Sequence, residues 1–239
     1  LFFVKEPTSK GKKNERQEIW MSERDNTGEW GTAVKLPDII NRQRYNGVYW
    51  ASEDGNTILM RGIYDENTNE TYRGLSTSKF VDGKWTKPVP VIVKDYNLLS
   101  RGVYTGATMS TDQKVLIMYF TSETNGETND LWVSILNDST MEYSKPVQLN
   151  ISTEDYDEFS PYLSPDNKTL FFASDRNGGF GDADIWMTKR ADSTWLNWTV
   201  PINIGAPFNT SKWDAYFSIG DGGKTAYLAT NKKYSLPGS

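Results

Sequence analysis

Apolar runs of four to six residues recur along the chain, separated by short polar stretches rich in Ser, Asp, Asn and Gly. Four of these pairs of runs superimpose, at 52–60, 110–118, 164–172 and 220–228, and their first residues lie 58, 54 and 56 positions apart. Each reads as two strands joined by a tight turn, because Gly, Asn and Asp tolerate the positive φ that hairpins demand. First strands are expected at 48–52, 105–110, 161–164 and 215–219, and second strands at 58–61, 115–120, 170–173 and 225–229. Trp20, Trp132 and Trp186 sit in alternating apolar and polar stretches that predict a third strand, with Gly74-Leu75 in the same place of the second repeat. A third landmark is an aromatic with proline three residues on: Trp85 with Pro88, Tyr143 with Pro146 and Trp198 with Pro201, while Trp30 has Ala33 there. Fourth strands follow at 33–36, 89–93, 147–150 and 202–204. Proline cannot donate to a ladder, so these are expected at sheet edges.

Three landmarks sharing a period of about 56 residues predict a repeat of four-stranded antiparallel units, the signature of an all-β chain with the β-propeller fold. No amphipathic helical pattern competes. Leu1-Phe2-Phe3 aligns with Ile58-Leu59-Met60, so the chain is expected to open on a second strand and to stop just past another. The expectation is a single propeller domain of five or more blades: 1–47 lacking its first strand, 48–103, 104–158, 159–213, and a partial blade at 214–239. A blade buries its apolar faces only against neighbours. The nine tryptophans and the 13% aromatic content supply large flat side chains for that packing.

Composition narrows the chemistry. The 239 residues contain no Cys and no His, which excludes Ser-His-Asp and Cys-His enzymes and removes the commonest metal ligands. The net charge of −5 and the lack of basic blocks argue against a nucleic-acid partner. The longest apolar run, 115–120, is six residues against the 18 or so needed to cross a bilayer. No targeting pattern opens the sequence, so any such segment is expected outside it. Zero cysteines suit a reducing cytoplasm and a disulfide-free bacterial envelope equally.

The stretch Ser160-Pro161-Tyr162-Leu163-Ser164-Pro165-Asp166-Asn167-Lys168-Thr169-Leu170-Phe171-Phe172-Ala173-Ser174-Asp175-Arg176, followed by Gly178-Gly179-Phe180-Gly181 and Asp184-Ile185-Trp186, resembles the TolB-type, WD-repeat-like propeller motif. Its continuation through Trp198, Pro201 to Gly205, Phe208-Asn209-Thr210 and Asp214 to Phe217-Ser218 is similar to a variant found in Bacteroidetes envelope proteins of the OmpA family, of which the type IX secretion component PorE is one example. The match is strongest in the fourth blade; the second departs at Gly74-Leu75 and Pro90, the third at Gln113. The resemblance implies a non-catalytic adaptor in the periplasm, associated with the outer membrane, acting in a secretion or motility assembly. An OmpA-like domain would flank this sequence, since none lies within it.

Function is expected on the propeller face that receives the long loops, at 5–18, 63–71, 121–129 and 174–183 within blades and 37–47, 94–102, 151–159 and 205–213 between them. The between-blade loops carry residue types enriched at interface hot spots: Arg42, Arg44, Tyr45, Tyr96, Arg101, Tyr156, Phe159 and Trp213, to which Arg176 of the fourth blade is added. The competing reading makes the rings filler between blades. Glu154, Asp155, Asp157 and Glu158 form an acidic run that reads as a solvated loop, as a counter-patch to Arg42, Arg44 and Arg101, or as a weak cation site. Asp175, Asp182 and Asp184 around the glycine turn lack the spacing of a calcium loop, so neither metal nor cofactor is expected. A glycosidase needs two facing carboxylates, and the predicted first strands hold none; acids stand only at their entrances, at Asp157, Glu158 and Asp214. The leading expectation is therefore a protein-binding scaffold and not an enzyme. The alternative is a carbohydrate-binding or glycoside-cleaving propeller using the aromatics and acids near Tyr156 to Phe159.

Overall fold

A computed structural model describes residues 1–6, 8–9, 12–13, 16–64, 71–122 and 127–232. The loops expected at 5–18, 63–71 and 121–129 lie partly outside the described residues. The chain is all-β, with antiparallel sheets following one another as propeller blades, and it divides into two compact units, 1–92 and 93–239. Among the described residues no helix is long and apolar enough to cross a membrane.

The first unit holds a three-stranded sheet, Phe2–Lys5, Glu18–Met21 and Val34–Lys35, with Glu18–Met21 in the middle, and a second sheet ordered Val48–Ala51, Thr57–Tyr64, Thr71–Val81, Val89–Val91. In the second unit the third blade runs Ser100–Met109, Val115–Ser122, Asp130–Asn137, Val147–Gln148, and the fourth Glu158–Leu163, Thr169–Ser174, Asp184–Lys189, Ile202–Asn203. Asp214–Gly220 and Thr225–Thr230 pair as a further hairpin. Fourth strands lie at the edges directly after Pro88, Pro146 and Pro201, where a missing N–H costs no ladder bond. The aromatics preceding those prolines close small ladders back onto the third strand: Phe80↔Trp85, Leu136↔Tyr143, Arg190↔Trp198 and Arg24↔Trp30.

The hairpin turns share one device. Ser52, Ser110 and Ser164 each donate Oγ–H to the Asp two residues on and accept the N–H of the residue opening the next strand, Thr57, Val115 or Thr169, at 2.9–3.0 Å. The left-handed turn position falls to Gly55 at φ 70°, Gln113 at 58° and Asn167 at 58°.

Apolar burial lies between blades, as stacked sheets require. Ile19, Leu36 and Ile40 of the first blade pack on Ile58, Met60 and Tyr64 of the second. Ile117, Leu131 and Val133 of the third pack with Leu163, Phe172, Trp186 and Trp198 of the fourth. Phe171, Ala173 and Ile185 meet Ala215 and Phe217. Trp132 lies flat on Phe120 at 4.9 Å, and its Nε1–H reaches Phe120 O at 3.3 Å, as that of Trp186 reaches Ser174 O.

Three first strands begin earlier than their apolar pattern indicates: at Ser100, Glu158 and Asp214. The expectation that first strands hold no charged residue is therefore corrected. Glu158 pairs with Ser174 and Asp214 with Thr230 in the ladders, and Arg101 lies within the strand. Polar residues enter these strands because partners elsewhere in the junction satisfy them.

Candidate functional site

At three blade junctions the same backbone contact recurs. Asn46, Glu158 and Asp214 lead into the next blade, and their N–H groups donate to the carbonyls of Gln17, Asn129 and Ala183, at 3.3, 2.8 and 2.9 Å. The residues after those carbonyls are Glu18, Asp130 and Asp184, each opening a third strand. Each junction thus sets an acid beside a second polar residue, and all six side chains are buried. Lys35, Gln148 and Asn203, paired in register with Trp20, Trp132 and Trp186, donate to the three acids at 3.4, 3.1 and 3.3 Å.

A latch accompanies each acid. Asn41 accepts the N–H of Ile19 at 2.7 Å and donates to Ile19 O and Leu36 O. Asn209 does the same for Ile185, accepting at 2.8 Å and donating to Ile185 O and Asn203 Oδ1. Ser152 Oγ accepts the N–H of Leu131 at 2.8 Å. The between-blade loops are therefore stitched to the third strands by side chains that a sequence reading assigns to turns.

The three junctions differ in how they balance charge. Glu18 lies 3.4 Å from Lys35 Nζ and 3.8 Å from Arg16 Nε, opposite a neutral Asn46. Glu158 has no exposed surface and pairs with Arg176, whose Nη2–H donates to Glu158 Oε1 at 2.8 Å and to Ile151 O at 3.0 Å. The guanidinium also lies over the rings of Phe172 at 4.9 Å and Trp186 at 5.4 Å. Burial pushes the Glu158 carboxyl up to about 7; Arg176 pulls against this and Asp130 adds to it. At the third junction Asp184 Oδ2 accepts the N–H of Phe180 and Asp214 Oδ2 accepts Thr210 N and Oγ at 2.7 and 2.9 Å.

Arg176 is thus placed inside the scaffold, not on a partner-facing surface, because the buried Glu158 requires its charge. Glu158 is likewise no counter-patch to Arg42, Arg44 or Arg101. Asp157 accepts from Asn129 N and Nδ2, and its own N–H reaches Asp175 Oδ1 at 2.9 Å. Asp175, Asp182 and Asp184 do not converge: Asp182 is exposed and Asp184 buried. Among the described residues no group of three or more metal-type side chains gathers.

The remaining candidates fall into two sets. In the first unit, Arg42 joins Arg16, Asp38, Ile39 and Asn41 around a depression of about 460 Å³. Two residues on, Arg44 covers the ring of Tyr45 at 5.3 Å, and Tyr45 is exposed. In the second unit, Tyr96 is not a surface anchor: it is buried in a short helix, Tyr96–Leu99, edge-on to Phe120 at 5.6 Å, its hydroxyl bonded to Thr105 Oγ1 at 2.7 Å. Tyr156 accepts from Asn177. Phe159 lies in a strand, half-buried, and stacks on Trp213 at 5.9 Å with 19° between the rings. Arg101 is exposed on the first strand of the third blade.

Tyr216, Tyr104 and Val103 escaped the sequence reading. Trp213 meets Tyr216 at 5.8 Å, which extends the Phe159–Trp213 pair into an aromatic ladder. Tyr216 is 57% exposed at φ 54°, a left-handed conformation rare for a bulky side chain, and its N–H donates to Ser160 Oγ, itself at φ 46°. Both residues stand in register shifts of their strands. Tyr104 and Val103, each 70% exposed, adjoin Arg101.

No family model matches the sequence, and no curated protein does. Among solved structures, TolB from Acinetobacter baumannii is similar over 95% of this chain and 45% of its own, at 14% identity and a TM-score of 0.48. The chain thus spans about half the length of TolB. A thermostable family-43 glycoside hydrolase is similar over 90% of this chain and 75% of its own, at 12% identity and a TM-score of 0.52. An alpha-L-arabinofuranosidase from Lactobacillus brevis is similar over 98% and 81%, at 12% identity and a TM-score of 0.52. At such identity these likenesses speak to the fold alone.

Proposed function

We propose that this chain is a non-catalytic binding module that presents its between-blade loops to partner proteins. The observation that carries the reading is the division of labour among polar residues. The acids that could have served chemistry at the strand entrances, Glu158 and Asp214, are tied into junctions by Arg176 and by Thr210. Exposed are instead Arg44 on Tyr45 in a loop and Tyr216 in a strand, the latter against the half-buried Trp213, types that dominate interface energetics. The resemblance of the fourth blade to OmpA-family envelope propellers supports a periplasmic setting beside the outer membrane, with envelope proteins as partners. It extends to an OmpA-like neighbour and to a type IX secretion or motility assembly of a Bacteroidetes cell. Substituting Arg44→Ala and Trp213→Ala and comparing recovery of envelope proteins tests the reading: recovery is expected to fall with both residues changed, and unchanged recovery refutes it.

The second reading, a carbohydrate surface, draws on the Phe159–Trp213–Tyr216 ladder, since exposed rings stack on sugar faces. Glycan binding and hydrolysis screens with Tyr216→Ala, Asp157→Asn and Asp214→Asn separate the two. Binding lost on Tyr216→Ala favours a sugar site; hydrolysis lost with either acid makes it an enzyme.

A further inference from the structure

We propose that the Asp184–Asp214 junction is a cation site, and that the cation it takes is calcium. Trp213 and Ala183 form a parallel bridge, and each aspartate is the next residue of its strand. Successive side chains of a strand alternate between faces, so both carboxylates leave on the same side of the bridge. The equivalent pair one repeat earlier supports this placement, because Asp130 there acts electrostatically on Glu158.

Both side chains are buried, at 1% and 0% exposure, and in each only one oxygen is used. Asp184 Oδ2 takes the amides of the glycine turn and Asn203 Nδ2, and Asp214 Oδ2 takes Thr210. The two Oδ1 atoms have no hydrogen-bond partner and no solvent contact. At the other junctions the buried acid beside the bridge is answered by Arg176 or by Lys35 and Arg16. Among the described residues neither Asp184 nor Asp214 is in an ion pair, and each keeps one buried carboxylate oxygen without a hydrogen bond, which is unfavourable.

The surroundings are built to close tolerances. A Cβ on Gly179 would strike the Asp184 carboxylate, and one on Gly181 would come within 2.6 Å of Lys212 N and Thr210 O. The turn therefore holds the carboxylate and the 210–212 loop against each other. Two formal negative charges and oxygen-only donors, in a chain without His or Cys, call for a hard divalent ion. Magnesium retains several waters, which an occluded nest does not admit; calcium accepts carboxylate and backbone carbonyl oxygens in flexible geometry. Two carboxylates place the affinity with weak extracellular calcium modules, about 10⁻⁴–10⁻³ M.

The test is a melting titration of the EDTA-stripped chain with CaCl₂, against MgCl₂ and NaCl at matched ionic strength, with calorimetric titration of calcium alone. At 10 mM, ten to a hundred times that dissociation constant, calcium is expected to raise the melting temperature by about 3–10 °C. The rise and the calorimetric signal are expected to vanish in Asp214→Asn and Asp184→Asn and to persist in the loop controls Glu154→Gln and Asp155→Asn. Should the Asn variants fail to fold, direct calcium binding by the unaltered chain decides. No calcium heat, a shift no larger than that from magnesium or sodium, or a shift retained in both Asn variants overturns the proposal.

Discussion

Replacing Arg176 by Met removes the only cation within ion-pair distance of Glu158 among the described residues and retains much of the apolar stem over Phe172 and Trp186. Burial already lifts the Glu158 carboxyl from 4.5 to about 7 with the guanidinium 2.8 Å away. The gap between those two values corresponds to about 3 kcal/mol between the protonated and ionised forms. The sign follows from proton uptake. Between pH 4.5 and 7 the folded chain holds a proton that the unfolded chain has released, so this carboxyl's contribution is fully present below pH 4.5 and is lost as pH rises through 7. Without Arg176 the strongest opposing influence disappears and the loss deepens at alkaline pH. Breaking a buried pair there costs about 3–5 kcal/mol. Near pH 5 the carboxyl is protonated, and the loss is confined to the hydrogen bonds to Glu158 Oε1, Ile151 O and Ser174 Oγ, together about 2 kcal/mol. Urea unfolding of the unaltered chain, Arg176→Met and Arg176→Met with Glu158→Gln at pH 5 and 8.5 measures this, and the difference between variants cancels all other titrating groups. The single variant is expected to lose at least about 1 kcal/mol more at pH 8.5 than at pH 5, and the double variant to lose nearly the same at both. An equal penalty for the single variant at the two pH values would refute the buried-charge account.

Gln113→Gly is expected to raise the melting temperature by about 1–3 °C, because Gln113 holds a left-handed conformation that Gly55 adopts freely in the equivalent turn; a thermal melt reads it. Gly181→Ala should cost more than about 2 kcal/mol in a denaturant titration, since its methyl would press on backbone atoms of Thr210 and Lys212 that have no rotamer to yield. Asn209→Ala strands the buried N–H of Ile185, whose carbonyl keeps the N–H of Ile204, and should cost about 1–3 kcal/mol, with faster amide exchange at Ile185 than at Trp186 as its local signature. Hydrogen bonds from Ser52 and Ser164 hold the Asp54 and Asp166 carboxyls below their usual range. Their contribution is present above pH 3.8 and lost as pH falls further, so protection of the amides of Asn56 and Lys168, relative to their intrinsic exchange rates, should fall below pH 4.

The repeat was legible because its turns and its indoles obey local rules. A Ser two residues before an Asp closes a hairpin through its own hydroxyl, and proline after an aromatic marks an edge, so strand order follows from spacing. The junction chemistry was less legible, for a physical reason. Apolar periodicity ends a strand where charge begins, yet Glu158 and Asp214 continue their strands because neighbours 18 and four residues away satisfy them. Arg176 read as a loop cation until the Glu158↔Ser174 register carried it inward. Asn41 and Asn209 have the composition of turns and the role of latches. One signal was available: an acid stands two residues before each of Trp20, Trp132 and Trp186. Tyr216 lay hidden because alternation gives no sign of a left-handed residue, here one exposed beside the buried Phe217.

The unequal charge balance of the three junctions has a bearing on assembly. Strand lengths and turns are close enough between repeats for one blade to dock where another belongs. A blade led by Glu158 set against a neighbour lacking Arg176 would trap an uncompensated anion, and one led by Asn46 would leave that guanidinium stranded. Each seam thus carries its own electrostatic address, which discourages swapped or skipped blades during folding.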